Sequence, residues 1–172
     1  MKKKLRFILL NGPIGSGKST IANLLKSKLK RTAMFGVEDI RGFISDFKPN
    51  KEDHLLTWKI IHSMCDEYFK NGISVLLEQS YCSKENVNQF LRLAKKHKCS
   101  IGFYHLYAPR SILLKRINQQ KKDRKVSRTK IISNIKKHEE MIYPDATVID
   151  TSEMKPAEVA KLIVNDLKRL EK

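Results

Sequence analysis

The sequence predicts an α/β protein with a mostly parallel sheet that helices cover on both faces. Apolar runs of strand length recur along the chain, at residues 5–10, 32–36, 73–77, 101–107 and 146–149. Segments with apolar residues at three-to-four spacing, which is typical of amphipathic helices, separate these runs. Because a helix between two strands returns the chain over the sheet, the alternation favours parallel strands.

The helical segments carry apolar stripes that we expect to face the core. The stripes are Ile21, Leu24, Leu25 and Leu29; Trp58, Ile61, Cys65 and Phe69; Val87, Phe90, Leu91 and Ala94; and Val159, Ala160, Leu162, Ile163 and Leu167. Asn71-Gly72 is placed to end the second of these helices, and Ser83 is placed to cap the third. Pro109 is placed to begin another helix, and Pro156 the last one.

Length and composition indicate one globular domain that spans residues 1–172. A chain of 172 residues with 41% hydrophobic residues can bury one core but not two. Lys and Arg number 35 against 18 acidic residues, and the formal charge of +17 attracts phosphorylated or otherwise anionic partners. Solvated helix faces account for such a charge equally well, so nucleic acid stays open as a partner.

Cysteine usage and the first residues predict a cytoplasmic protein. Cys65, Cys82 and Cys99 are odd in number and contain no C-x-x-C pair, so neither a disulfide framework nor a zinc site is indicated. The opening MKKKLRFILL imitates a signal peptide, but its apolar run ends at Leu10 and continues into a glycine-rich segment. No other segment approaches membrane-spanning length, so we expect no membrane partner. The oligomeric state stays open.

The glycine-rich segment separates the first predicted strand from the first predicted helix. It reads Gly12-Pro13-Ile14-Gly15-Ser16-Gly17-Lys18-Ser19, which fits the phosphate-binding motif G-x-x-x-x-G-K-[ST] in full. Its glycines let successive backbone N–H groups point inward at a helix N-terminus, where the amides and the helix dipole favour phosphate. We expect Lys18 to contact the β- and γ-phosphates, Ser19 to bind Mg²⁺ and Thr20 to contact the α-phosphate.

Transfer of a phosphoryl group also needs a carboxylate near the accepting hydroxyl. Asp39 and Arg41 follow the second strand, at the edge where parallel strands present their carboxyl ends to a ligand. Asp39 is a candidate acceptor-side base and Arg41 a candidate contact for the acceptor, although Glu38 and Asp39 equally suit the start of a helix. Glu78 ends the third strand and is a candidate for the metal shell, for the acceptor site or for a structural role.

A basic segment is a candidate lid over the phosphates. Residues 115–137 contain ten basic residues and one acidic residue. Arg124 and Arg128, with Arg116 behind them, are candidates to close over the transferring group and exclude water. Solvated, charged helices account for the same residues.

Two short strings match GTPase motifs, but their spacing argues against a GTPase. Asp39-Ile40-Arg41-Gly42 matches D-x-x-G, and Asn50-Lys51-Glu52-Asp53 matches N-K-x-D. Only 7 residues lie between them, and these residues predict no strand, whereas the two GTPase loops follow separate strands.

The whole pattern resembles the small P-loop kinases of the adenylate-kinase-like fold, in the group of polynucleotide kinase, chloramphenicol phosphotransferase and the zeta toxins. The resemblance runs through GPIGSGKST, VEDIRGFI, VLLEQSYCSKENVNQFLRLAKKH, LYAPRSILLKRINQQKKDRKVSRTKI and VIDTSEMKPAEVAKLIV. It implies a three-layer P-loop fold with sheet order 2-3-1-4-5 and a helical lid at about residues 116–130. It also implies ATP, with the adenine near Thr151 and Ser152.

The resemblance implies roles for individual residues as well. It implies an acceptor-side carboxylate at Asp39, an acidic or polar residue at Glu78, and lid arginines at Arg116, Arg124 and Arg128. Glu78 stands where many members have Asp, so the resemblance does not specify whether it serves the metal or the acceptor.

Together these observations predict an ATP- and Mg²⁺-dependent kinase that transfers the γ-phosphoryl group to a hydroxyl of a small molecule. Residues 12–20 and Arg116 are expected to hold ATP, and Ser19 with Glu78 to hold Mg²⁺. Lys18, Asp39, Arg124 and Arg128 are the expected catalytic residues, and Asp39, Arg41 and Glu78 the expected acceptor contacts. A kinase of nucleotides or polynucleotide 5′-hydroxyl ends is one alternative, which the charge of +17 favours. A regulator that binds ATP without transfer is the other.

Overall fold

A computed structural model describes residues 4–80, 83–119, 126–141 and 143–171. The elements are β1 (Arg6–Asn11), α1 (Lys18–Lys28), β2 (Thr32–Gly36), α2 (Val37–Gly42), α3 (Lys51–Lys70), β3 (Ser74–Gln79), α4 (Lys84–Lys96), β4 (Ser100–Tyr107), α5 (Arg110–Gln119), α6 (Arg128–Glu140), β5 (Thr147–Asp150) and α7 (Pro156–Leu170). Among the helices it describes, none is long and apolar enough to cross a membrane.

The strands form one parallel sheet in the order β2-β3-β1-β4-β5. The central strand β1 pairs with β3 on one side and β4 on the other, so that Phe7 lies opposite Val75 and Ile101. The predicted strand order and direction are confirmed. Each predicted strand begins and ends within two residues of the corresponding observed strand. All the strands therefore end at the same edge of the sheet, which we call the carboxyl edge.

Two apolar layers cover the sheet, and β1 contributes to both. Phe7 and Leu9 belong to the layer with α3 and α4, while Ile8 and Leu10 belong to the layer with α1 and α7. Successive strand residues point to opposite faces, so a strand covered on both faces is a continuous apolar run. The run that the sequence shows in β1 therefore follows from its central position.

The last helix corrects one predicted core position. On α7, Val159, Ala160, Ile163 and Leu167 are buried, but Leu162 is 39% exposed. Each helical residue turns by about 100°, so Leu162 lies off the stripe that Val159, Ile163 and Leu167 share.

The predicted helix boundaries are confirmed. Ser83 Oγ accepts the Asn86 amide of α4 at 3.2 Å, and Gly72, with φ 71°, follows the end of α3. The string at 50–53 is likewise a helix start, because Asn50 Oδ1 accepts the Asp53 amide at 2.8 Å. A capping role thus accounts for the resemblance of this string to a guanine-binding motif.

A smaller apolar cluster attaches α5 and α6 to the glycine-rich loop. Leu113 and Ile117 from α5 and Ile131 and Ile135 from α6 form this cluster, and Ile14 from the loop packs against it. The basic segment thus has its own small core beside the loop.

Candidate active site

The loop between β1 and α1 has a shape that requires glycine. Gly12 has φ 150° and Gly15 has φ 87°. A Cβ on Gly12 would lie 2.5 Å from the carbonyl oxygen of Leu106, and a Cβ on Gly15 would lie 2.9 Å from Ile117 Cγ1. The loop is therefore pressed against β4 and α5, with α1 beginning directly behind it.

The side chains that follow the loop lie at its mouth. Lys18 is buried, and its Nζ donates to the Pro13 carbonyl at 2.9 Å. Ser19 Oγ donates to Glu78 Oε1 at 2.6 Å. Glu78 is next to the loop because β3 pairs with β1, which puts Leu10 opposite Glu78.

The donor set formed by Ser19 and Glu78 fits Mg²⁺. A hydroxyl and a carboxylate are hard oxygen ligands, and protein-bound Mg²⁺ keeps several waters and takes phosphate oxygens as its other ligands. These two side chains would hold the ion at the loop. Waters and phosphate oxygens would fill the rest of its coordination shell.

A cavity of about 850 Å³ opens at the carboxyl edge and joins the loop to a second group of polar side chains. Its loop side includes Lys18, Ser19, Thr20 and Glu78, with Lys130, Ser133, Asn134 and Lys137 from α6. Its far wall includes Glu38, Arg41, His54, Trp58, Ser83 and Asn86. The glycine-rich loop and a second group of polar side chains therefore line one open cleft.

Arg41 contacts three side chains at the far wall. Its Nη1 donates to Glu38 Oε1 at 2.6 Å, and its Nη2 lies 2.9 Å from His54 Nδ1. Because a guanidinium can only donate, His54 accepts at Nδ1. The guanidinium carbon also lies 5.4 Å from the ring centroid of Phe47, a cation–π contact. The predicted residue Arg41 is therefore in the cavity.

Asp39 is placed differently from its neighbour. Its Oδ2 accepts the Gly36 amide at 2.6 Å at the start of α2, and it is not among the described residues that line the cavity. Glu38, one residue earlier, lines the cavity instead. A base role for Asp39 stays a prediction, and the observed contact matches the alternative role as a helix start.

The predicted arginines are dispersed. Arg116 on α5 donates to Thr151 Oγ1 at 3.0 Å and to the Thr151 and Ser152 carbonyls, at the turn where the resemblance puts the adenine. Arg128 is the exposed first residue of α6 and does not line the cavity. Arg124 lies outside the described residues. Their lid and nucleotide roles stay predictions.

Asn134 on α6 is a site residue that the sequence analysis missed. Its Oδ1 accepts the Ile14 amide of the loop at 2.8 Å, and its Nδ2 lies 3.5 Å from the Ser80 carbonyl. Lys130, Ser133, Asn134 and Lys137 follow a three-to-four spacing and so share one helix face. This spacing indicates that the four side chains lie on the same side of α6. The predicted lid residues are arginines and do not include them.

A pair of buried histidines lies behind the loop. The rings of His105 on β4 and His138 on α6 are 5.3 Å apart, and His138 Nε2 donates to the Ser80 carbonyl. The pKa of His138 is lowered to about 4, mainly by burial. The hydrogen bond to the Ser80 carbonyl opposes this shift, and the nearby His105 and Lys18 add to it. Burial and the nearby Lys18 also lower the pKa of His105. Both imidazoles are thus neutral near pH 7.

We expect the fold to lose stability in acid because of His138. Its folded-state pKa is below the ordinary value of 6.5, so the unfolded chain binds more protons between about pH 6.5 and 4. The free energy of unfolding should fall by about 3 kcal/mol across that window. Urea unfolding at several pH values should show this slope in the wild type and a flatter slope in His138→Gln. Equal slopes in the two proteins would contradict the assignment.

Known proteins match this chain in sequence family and in fold. The sequence model of the family described as AAA domain (AAA_33) matches residues 7–142. No curated protein matches the chain. A sugar kinase structure from Janibacter sp. HTCC2649, unliganded, is 18% identical with a TM-score of 0.70, and the match covers 95% of each chain.

Two further structures share the fold. The tunicamycin resistance protein of Deinococcus radiodurans is 18% identical with a TM-score of 0.68, covering 95% of this chain and 96% of that one. A chain of the Pnkp1/Rnl/Hen1 RNA repair complex is 17% identical with a TM-score of 0.65, covering 81% of this chain and 47% of that one. At such identities the likeness establishes the fold and leaves the acceptor open.

Proposed function

The chain belongs to the AAA domain family AAA_33 and has the fold of P-loop kinases, and from this premise we propose that it transfers the γ-phosphoryl group of ATP to a hydroxyl of a small molecule. The observation that carries the proposal is the shared cavity. A phosphate loop on one side and a group of polar side chains on the other would bring two reactants together.

The size of the cavity favours a small acceptor. About 850 Å³ is within the range of small-molecule sites, and nucleotide phosphates would take part of it. Arg41, His54 and Asn86 offer hydrogen bonds at the far wall, and Trp58 offers an apolar face. An acceptor with several hydroxyls or an anionic group suits this wall.

On the nucleotide side, the loop amides and Lys18 would bind the phosphates. Lys18 now contacts the Pro13 carbonyl, and a phosphate at the loop mouth would offer its ammonium a charged partner instead. Mg²⁺, held by Ser19 and Glu78 together with the phosphates, would neutralise charge on the transferring group. Asn134 and the lysines of α6 lie beside the same phosphate region.

For the acceptor-side carboxylate we favour Glu38 over the predicted Asp39. Both carboxylates have a partner, since Glu38 Oε1 accepts from Arg41 and Asp39 Oδ2 accepts the Gly36 amide, each at 2.6 Å. Of the two, Glu38 is the one among the described residues that lines the cavity. A carboxylate must reach the hydroxyl proton to act as a base, so position decides between two neighbours of equal chemistry.

A polynucleotide 5′-hydroxyl kinase is the second candidate. The net charge of +17 and the likeness to a chain of an RNA repair complex favour it. The third candidate is a regulator that binds ATP but does not transfer a phosphoryl group. Such a protein would need the glycine-rich loop but no site for an acceptor.

A screen with γ-labelled ATP tests these candidates together. The protein is incubated with Mg²⁺ and with pools of sugars, other metabolites, nucleosides, antibiotics and oligonucleotides. We expect the label to appear on one small molecule. Label on oligonucleotide ends would support the second candidate, and label on water alone would contradict an acceptor kinase.

A matched pair of variants then tests the carboxylate. With the identified acceptor, Glu38→Gln should lower kcat at least about 100-fold, because a general base contributes 10²–10⁴-fold. Asp39→Asn keeps an oxygen for the Gly36 amide and should retain kcat within about threefold of wild type. The opposite pattern would return the role to Asp39.

A further inference from the structure

A second group of basic side chains, separate from residues 115–137, lies at the end of the sheet opposite the cavity. We call this surface the basic pole. It consists of the exposed side chains Lys4, Lys26, Lys28, Lys30, Arg31, Lys70, Lys95, Lys96, Lys98, Lys168 and Arg169. These 11 side chains are about a third of the 35 lysines and arginines of the protein.

The basic pole exists because all the strands are parallel. Every strand begins at this edge, so the helices α1, α3, α4 and α7 all end here, where their dipoles favour cations. Contacts confirm that the ends meet. Lys4 Nζ lies 3.5 Å and Ser100 Oγ lies 3.1 Å from the Leu170 carbonyl, and Arg31 Nη2 lies 3.5 Å from the Asn71 carbonyl.

Several acidic side chains lie at this end, and three of them have basic partners. Asp66 contacts Lys70 at 2.6 Å, Lys96 at 3.6 Å and His97 at 2.7 Å, and these contacts lower the pKa of its carboxyl. Glu67 lies 3.6 Å from Lys70, and Glu171 pairs with Arg6. The remaining lysines and arginines outnumber these acids and face solvent, so the surface potential is positive.

A cavity of about 570 Å³ opens within the basic pole, between the end of α3 and the start of the sheet. Tyr68, Met64 and Ile73 give it apolar walls, and Arg31, Asn71 and Glu67 bring polar groups to it. The Glu67 carboxylate accepts Asn71 Nδ2 at 2.9 Å and lies 3.6 Å from Lys70 Nζ, so its charge is partly neutralised. A flat aromatic base suits such a cavity, because it can stack on a tyrosine ring or a guanidinium plane while phosphates contact the lysines around it.

We propose that the basic pole binds single-stranded nucleic acid, with phosphates on its lysines and one base in the cavity beside Tyr68. The nucleic acid would bind as a tether and not as the phosphoryl acceptor, because the phosphate loop lies at the other edge of the sheet. An anionic membrane fits less well. A helix that binds a membrane surface needs a broad apolar face. Among the described residues at this end, Leu170 is the one large apolar side chain that is exposed.

Two variants with equal charge loss test the surface. Lys26→Gln, Lys28→Gln, Lys95→Gln and Lys98→Gln together make the pole variant. Lys48→Gln, Lys51→Gln, Lys84→Gln and Lys155→Gln, all exposed and outside the pole, make the control. Fluorescence anisotropy measures the binding of a labelled twelve-nucleotide uridine RNA at KCl concentrations between about 0.05 and 0.2 M.

We expect the pole variant to lose at least about tenfold in affinity and to show a shallower dependence on salt, since each lost phosphate contact removes about 0.7 from the slope. The control should stay within about twofold of wild type. Equal losses in both variants would overturn the proposal, because they would show a response to net charge alone. Binding to phosphatidylserine vesicles without binding to RNA would overturn it in favour of a membrane.

A third variant tests the base-binding cavity. Tyr68→Leu should weaken RNA binding about fivefold or more, since stacking is lost, while binding of inorganic polyphosphate stays unchanged. Equal effects on RNA and polyphosphate would contradict a base in the cavity.

The label-transfer screen tests the kinase proposal separately from RNA binding. The pole variant should transfer the label to a small acceptor as well as the wild type does.

Discussion

Lys18→Ala is expected to lower kcat for phosphoryl transfer by at least about 100-fold. The Lys18 ammonium is buried at the mouth of the loop, and under the proposed function it would be the charge that contacts the phosphates. Removing one preorganised group that stabilises the transition state of transfer lowers kcat 10²–10³-fold in comparable sites. Steady-state kinetics with the acceptor found by label transfer gives kcat, and calorimetry with Mg·ATP gives the change in affinity.

The control for this change is Lys26→Ala on the same helix. Lys26 is exposed and lies outside the cavity, so its removal should leave kcat within about twofold. If Lys18→Ala kept kcat within threefold of wild type, the loop would not be holding the transferring phosphate, and the proposed function would have to be abandoned.

Gly12→Ala is expected to destabilise the fold by about 4 kcal/mol. Two effects add: a side chain at φ 150° is strained, and its Cβ would lie 2.5 Å from the Leu106 carbonyl oxygen, which belongs to the rigid strand β4. The strand or the loop must move, so Mg·ATP binding should be lost as well. Urea unfolding measures the loss of stability.

Gly42→Ala is the matched control for Gly12. Gly42 ends α2, and a Cβ there would meet nothing within 4 Å. The free energy of unfolding should change by less than about 0.5 kcal/mol. Similar stability of the two variants would show that the loop tolerates a side chain, which would contradict the close approach to β4.

Much of the fold could be predicted because its signals are local. The run in β1 is apolar on both faces since the strand is central, and the glycines that follow are required by the loop itself. Ser83 and Asn71-Gly72 mark helix ends by chemistry that acts over a few residues. These signals are independent of how distant parts of the chain meet.

The candidate site was harder to predict because it depends on side-chain direction and on distant contacts. Glu38 and Asp39 have the same chemistry and differ by one residue, yet one lines the cavity and the other caps a helix. Asn134 reaches the Ile14 amide across 120 positions, and the spacing on α6 indicates a shared helix face but not this partner. The basic pole likewise requires that four helix ends converge.

The meeting of Lys4 with the Leu170 carbonyl has a practical consequence. The Lys4 side chain reaches the Leu170 carbonyl at the edge opposite the cavity, so the two backbones lie within the reach of one lysine side chain and a short glycine linker should bridge them in a circular permutant. An enzyme anchored to a solid support through either of these positions would present its catalytic opening to the solution.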